Sequence, residues 1–407
     1  MPNPAAFGIP HVMPLYLAQA SSHKESTPMR FYLFILLTLL FTPQWASATS
    51  WPSQPDIQAS AWILINVDSG QTLSKYNEKQ ELPPASLTKM MTLYLVFEAL
   101  KNKIINPEEK VDVSEKAWKI GGSRMFIEPR LHPTVDQLMH GISTVSGNDA
   151  CIALAEHMSG SEEAFAHRMN KKAKELGLKH SHFKNATGFP IKGHYSSAQD
   201  MAILAVALWN DFPEKFKLFS EKEFSYNKVK QNNRNRLLWR DPRVNGIKTG
   251  HTEEAGFCLV SSAQKDGTRI VSAVFGAESS HAREQQSRLL LNYGFRHFIN
   301  MKPTQRDLRR EVEVQHGSES KVWLSPRSQI MITVPKDMQS QVVFRLRYSA
   351  PLVAPIAKNQ VIGVIEAIIL HEDEEVLASV DMLAAKEVKL ASWPSRQLEN
   401  IQIWWKK

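Results

Sequence analysis

Between residues 61 and 100 the chain changes its hydrophobic rhythm twice. Ala61 to Val67 reads Ala-Trp-Ile-Leu-Ile-Asn-Val, closed by Asp68-Ser69-Gly70 and followed by a polar strand from Gln71. An apolar run bounded by turn residues predicts a β-hairpin. After Pro83-Pro84-Ala85, apolar side chains at Leu87, Met90, Met91, Tyr94, Leu95, Phe97 and Leu100 predict a helix opening at Ser86. A helix that apolar belongs inside a core.

Helical spacing recurs after Asn148 (Ala150, Ile152, Leu154, Ala155, Met158) and from Ser197 to Trp209. Strand pattern returns near Val244, and Phe257 to Ser262 and Thr268 to Phe275 form a second hairpin through Asp266-Gly267, with Glu284 to Phe298 as a closing helix. Strands at both ends with helices between predict an α+β domain, a mixed sheet flanked by helices, whose terminal strands share that sheet. Beyond Lys302-Pro303 short strands alternate: Glu311 to Val314, Val322 to Leu324, Gln329 to Val334, Val342 to Tyr348 and Val361 to Leu370. They predict a small all-β domain. Trp393 to Lys407 is an aromatic and cationic tail, short for a membrane-surface anchor.

Composition narrows the picture mainly by exclusion. With 407 residues, 43% of them hydrophobic, the chain can bury two cores. Its net charge of +8 suits nucleic acid, an anionic membrane or an acidic polymer alike, and so selects none. There is no zinc-like Cys/His spacing, no Gly-rich phosphate loop and no basic tract interleaved with aromatics, so no metal, cofactor or nucleic-acid partner is expected. Cys151 and Cys258 are too few for a disulfide framework; two buried thiols is the favoured reading and a single bridge the alternative.

Near the N-terminus, Met29-Arg30, the apolar run Phe31 to Phe41 and Ala46-Ser47-Ala48 make a secretory signal, with cleavage expected after Ala48 and Met29 as the expected initiator. The run falls short of the ~20 apolar residues of a membrane span.

Candidate chemistry comes from three short segments. In Ser86-Leu87-Thr88-Lys89 a serine and a lysine three residues apart share a helix face, so the amine is placed to activate the hydroxyl. The spacing alone is cheap, because Ser21/Lys24, Ser181/Lys184, Ser225/Lys228, Ser262/Lys265 and Ser318/Lys321 repeat it. Context separates Ser86, since its helix would carry Lys89 into a site that disfavours charge. In Ser146-Gly147-Asn148, Ser146 could pass a proton to a leaving amine and Asn148 could orient an amide; the competing reading is a helix cap. Ser225-Tyr226-Asn227 also fits the pattern but heads a basic, Asn-rich stretch without an apolar helix behind it, and is set aside. In Lys248-Thr249-Gly250, Lys248 and Thr249 offer a charge and a hydroxyl to a carboxylate, and Gly250 clears the strand edge for a substrate backbone.

Ser-x-x-Lys, Ser-x-Asn and Lys-Thr-Gly in this order form the signature set of penicillin-binding proteins and serine β-lactamases. The stretches Pro84 to Thr92, Ser146 to Cys151, Tyr195 to Met201 and Gly246 to Thr252 resemble the low-molecular-mass D-alanyl-D-alanine carboxypeptidases, over roughly Ser53 to Phe298. The resemblance implies a β-lactamase/DD-peptidase-like catalytic domain over 53–302 with a helical subdomain, a β-rich domain over 303–391 and an amphipathic tail over 392–407, behind an upstream segment and signal over 1–48. It implies a serine-type carboxypeptidase with Ser86 as nucleophile, Lys89 as base and Ser146 as proton relay. The backbone N–H groups of Ser86 and His251 would form the oxyanion hole, Lys248 would help keep Lys89 uncharged, and Arg283, ahead of the closing helix, would bind the terminal carboxylate. The implied partners are a peptidoglycan stem pentapeptide and β-lactams as covalent inhibitors, in a periplasmic enzyme with peripheral contact to the outer face of the inner membrane through the tail. Many relatives carry a histidine before a Gly-Leu pair where this chain has Thr187-Gly188-Phe189-Pro190. The alternatives are a β-lactamase, for which no Glu-x-x-Leu-Asn-like segment lies between Asn148 and Lys248, a DD-endopeptidase, and a non-catalytic wall-binding scaffold.

Overall fold

The computed structural model describes residues 51–370 and 374–405; the expected secretory signal and the terminal Lys406 and Lys407 lie outside the described residues. The chain enters through β1 (Ala61–Asn66) and β2 (Thr72–Tyr76), then a 3-10 turn over Ala85–Thr88 runs into helix α1 (Lys89–Lys101). Helices α2 (Val135–Val145), α3 (Asn148–Ser159), α4 (Glu162–Glu175) and α5 (Ala198–Asp211) follow, then the hairpin β3 (Glu223–Tyr226) and β4 (Val229–Asn232). Strands β5 (Val244–Thr252), β6 (Gly256–Lys265) and β7 (Thr268–Ala277) lead into α6 (Ser280–His297).

The main sheet runs β2-β1-β7-β6-β5, so the first and last strands of the region do meet, Trp62 opposite Val274. Its pairings are antiparallel throughout, which corrects the expected mixed sheet. Short hairpins join β5, β6 and β7, and such turns produce antiparallel neighbours. At the β6–β7 turn Asp266 and Gly267 both take positive φ, the geometry an Asp-Gly turn prefers. Strand β1 is apolar from Ala61 to Ile65 because both faces are covered. Ile63 and Ile65 enter the core shared with α1 to α5, while Trp62 and Leu64 enter a second core beneath α6.

Helix starts follow local chemistry. Thr134 and Gln137 make a reciprocal capping box for α2, and Ser197 and Ser279 cap α5 and α6. The closing helix therefore begins four residues before the expected Glu284, because its first turn is polar and hides from a hydrophobic pattern.

Beyond α6, β8 (Phe298–Met301) precedes β9 (Arg310–Gln315) and β10 (Lys321–Pro326). Next come β11 (Ile332–Pro335), β12 (Val342–Tyr348), β13 (Leu352–Val353), β14 (Val361–Ile369) and β15 (Glu375–Ala384). Six of these form a sheet ordered β12-β14-β15-β10-β9-β13 around its own core. The expected strand near Gln329 to Val334 instead pairs as β11 with β8, outside that sheet. This ribbon is tied to the β1–β2 turn by Asn66 Nδ2 donating to Asn300 Oδ1 at 2.7 Å and by a 2.7 Å bond between the Ser69 and Thr333 hydroxyls. The tail forms helix α7 (Trp393–Trp405), with Trp393, Leu398, Ile401, Trp404 and Trp405 exposed. Cys151 and Cys258 are both buried and free.

Candidate active site

Ser86 sits in the 3-10 turn rather than at the start of an α-helix, and the tighter winding matters. Side chains at i and i+3 eclipse one another in a 3-10 helix, which stacks Ser86 over Lys89. Lys89 Nζ lies 2.6 Å from Ser86 Oγ and donates to the Thr187 carbonyl at 2.9 Å. Among the described residues, no other serine of the repeated spacing bonds its lysine; Ser181, for example, bonds Ser196 and Asp200. The amine is completely buried, and burial pushes its pKa down to about 8. Arg234 adds to this, and Lys248 is a second neighbouring cation, since Lys89 and Lys248 disfavour each other's charge.

The turn is held under strain. Ala85 has φ 47, a conformation costly for a residue with a Cβ. Gly188 is wedged beneath it: a Cβ there would lie 1.8 Å from the Ala85 carbonyl oxygen. Gly250 serves the same contact from the other side, since its Cβ would fall 2.9 Å from Pro84 O and 3.3 Å from Leu87 Cγ. This adds a packing role to the one expected for Gly250, which also lines the cleft. The space its missing side chain leaves is taken by the nucleophile turn, so β5 can press against that turn.

Ser146 links α2 to α3 in a left-handed conformation, φ 63, while Gly147 occupies the N-cap position of α3. Ser146 closes α2 through its backbone N–H, which donates to Gly141 O, but its side chain does not cap α3, and its buried hydroxyl has no hydrogen-bond partner. Such a group costs about 1–3 kcal/mol, a cost that a cap would have avoided. Asn148 opens α3 and donates from Nδ2 to Gly121 O at 2.8 Å. Next to it, Asp149 accepts from the backbone N–H groups of Met125, Phe126 and Ile127, fixing the loop that carries Ser123 to the cleft.

Among the described residues, strand β5 is an edge of the main sheet, with no strand partner on its outer side. Lys248 is buried, its amine donates to Thr249 O at 3.1 Å, and its pKa is pushed well down by burial and then by Lys89. Thr249, Gly250 and His251 face a cleft of about 750 Å³ that Ser86 and Ser146 also line. The His251 ring stacks on Phe257 with centroids 4.0 Å apart. Arg283 reaches the same cleft, but from within the first turn of α6 rather than ahead of it. It donates from Nη1 to Gly250 O at 3.1 Å, and its buried Nε has no partner.

The remaining wall comes from the Asn-rich stretch set aside in the sequence: Asn232, Asn233 and Arg234, with Arg236, Trp239 and Arg240. Rejecting Ser225-Tyr226-Asn227 itself agrees with its place on the β3–β4 hairpin, but the basic residues after it were the missed signal. No Asp or Glu is among the residues lining the cleft, so it is electropositive and suited to an anionic group.

Comparison with known proteins places the chain in a family. A family described as D-alanyl-D-alanine carboxypeptidase, peptidase S11, matches residues 48–279, and one described as the C-terminal domain of penicillin-binding protein 5 matches residues 299–390. The chain is 40% identical over 326 residues to D-alanyl-D-alanine carboxypeptidase DacA of Escherichia coli K12, covering 77% of this chain and 80% of the relative. Penicillin-binding protein 5 of Haemophilus influenzae superimposes with TM-score 0.78 at 39% identity, over 83% of this chain and 99% of the other. Penicillin-binding protein D2 of Listeria monocytogenes, solved in an ampicillin-bound form, matches with TM-score 0.55 at 29% identity, over 60% of this chain and all of the other.

Proposed function

The chain belongs to the D-alanyl-D-alanine carboxypeptidase family, and from that premise we propose that Ser86 attacks the carbonyl of a terminal D-alanyl-D-alanine, with neutral Lys89 as its base. The observation that carries this reading is the completely buried Lys89 amine 2.6 Å from Ser86 Oγ, at the floor of an arginine-lined cleft. With a pKa of about 8, about a tenth of the Lys89 population is neutral at pH 7, enough to accept a proton and close enough to neutrality to return it.

The substrate backbone lies along the free edge of β5, adding a strand to the sheet. Its terminal carboxylate meets the Thr249 hydroxyl and the positive wall of Arg234 and Arg283. Ser86 transfers its proton to Lys89 as the Ser86 Oγ–carbon bond forms, and the backbone N–H groups of Ser86 and His251 receive the oxyanion. Collapse breaks the peptide bond; the proton passes through the unpartnered Ser146 hydroxyl to the departing amine, and free D-alanine leaves. Water then releases the shortened stem from Ser86. A β-lactam acylates the same oxygen by ring opening and has no leaving amino acid to vacate the cleft.

A cell-wall substrate of this kind lies outside the cytoplasm. Placement in the periplasm is supported by the secretory signal in the sequence, and a peripheral rest on the outer face of the inner membrane by the exposed Leu398, Trp404 and Trp405 of α7. No helix among the described residues is long and apolar enough to cross a membrane.

Ser86→Ala is expected to abolish covalent labelling by fluorescent penicillin; persistent labelling would refute the assignment. Mass spectrometry of a pentapeptide digest should find loss of one alanine. Cleavage confined to cross-linked stems would point to an endopeptidase instead.

A further inference from the structure

We propose that His194 is a positioning residue for acyl transfer, a neutral imidazole that holds the nucleophile turn through Thr88 in the geometry joining Ser86 to Lys89; the inference rests on the reading of that pair given above. His194 lies in the segment between Thr187 and α5 and is 7% exposed. Its Nε2 lies 2.8 Å from Thr88 Oγ1, and its Nδ1 faces the Lys184 backbone N–H at 3.3 Å. A backbone N–H can only donate, so Nδ1 is the acceptor, the ring proton sits on Nε2, and Nε2 donates to the threonine hydroxyl. Phe183 packs edge-on against the ring.

Protonation would set a second N–H against the Lys184 N–H. Burial, with His182 adding a smaller effect, lowers the His194 pKa to about 4. The ring therefore stays neutral over the range in which Lys89 titrates.

Thr88 itself supplies an independent observation. It is fully buried where the 3-10 turn runs into α1, its backbone is helical, and its hydroxyl makes no cap bond to its own helix. The hydroxyl is committed to His194 instead. The same segment meets the turn at two further places: Thr187 O accepts from Lys89 Nζ, and Gly188 presses on the Ala85 carbonyl. Ala85, Thr88 and Lys89 are thus each held from one side, which leaves Ser86 facing the cleft.

The test is a set of variants assayed for the second-order rate of acylation by fluorescent penicillin, its pH profile and Tm. Thr88→Val and His194→Leu are each expected to slow acylation roughly tenfold or more, the scale of one buried hydrogen bond lost at the transition state, and to move the midpoint of the profile. The double variant should be no slower than the slower single one, while Thr88→Ser and His194→Gln recover most of the rate. A lower Tm with rate per folded molecule and profile unchanged, or single losses that multiply in the double variant, would overturn the proposal. If His194→Leu does not fold, the contrast between Thr88→Val and Thr88→Ser decides alone. Peptide mapping of the wild-type label separates this inference from its premise, because a label away from Ser86 sinks the premise first.

Discussion

Beyond Met301, Thr333 is the only buried polar residue among those described, whereas the region around Ser86 buries two lysine amines, the unpartnered Ser146 hydroxyl and an arginine Nε without a partner. The β-rich region keeps its charges outside, in surface pairs such as Arg345 with Glu374 and Lys321 with Glu311. Its core is Val, Leu, Ile, Ala and Met. Partnerless polar atoms occur in both regions, Arg310 Nε and Arg396 Nε among them, but beyond Met301 they belong to half-buried residues, whereas Lys89, Lys248, Ser146 and Arg283 are buried and gather around one cleft. Costly groups gathered in one place are the physical mark of a site that stores binding and proton-transfer capacity at the expense of stability.

Gly188→Ala should widen the contrast most. Its Cβ would overlap the Ala85 carbonyl, and φ at Gly188 is +84, so both space and backbone oppose the change. The expected outcome is loss of penicillin labelling together with a stability loss on the order of 3 kcal/mol or more, read by chemical denaturation. Retained labelling with near-native stability would contradict the wedge.

Lys89→Met should sharpen the same contrast in the opposite direction. The folded pKa of Lys89, about 8, lies below its ordinary value of 10.5, so between these pH values the folded protein binds fewer protons than the unfolded chain. Its penalty to folding is therefore full below about pH 8 and fades as pH rises towards 10.5. Removing the amine should stabilise the protein by about 1–3 kcal/mol at pH 7, the penalty being partly offset by the hydrogen bonds lost. Acylation should vanish at the same time. A variant both inactive and less stable would mean that Lys89 is structural. The smallest effect is expected from Arg345→Ala in the β-rich region, where an exposed ion pair contributes little. Neither labelling nor Tm should change measurably, and a loss of labelling would tie that surface to the cleft.

How much of this was legible in the sequence varied with the kind of signal. The β1–β2 and β6–β7 hairpins were readable because apolar runs and Asp266-Gly267 are local cues. Strand β15 escaped because Glu375 and Asp381 interrupt its apolar pattern, and β8 because it continues directly from a helix. The three motifs gave the residues of the site but not the use of each. Gly250 read as clearance for a substrate backbone, and only the fold adds Pro84 and Leu87 packed against it. Ser146 looked like a cap until Gly147 took that position. Arg234 carried no motif at all, since its significance arises from the path of the chain after β4 towards the cleft.

The central claim is that a buried, largely desolvated lysine is the base for Ser86. Wild-type acylation by penicillin, followed by stopped flow between about pH 6 and 10, tests it directly. The rate should climb about tenfold per pH unit and level off above a midpoint near 8. A profile that runs flat through that range would contradict the account.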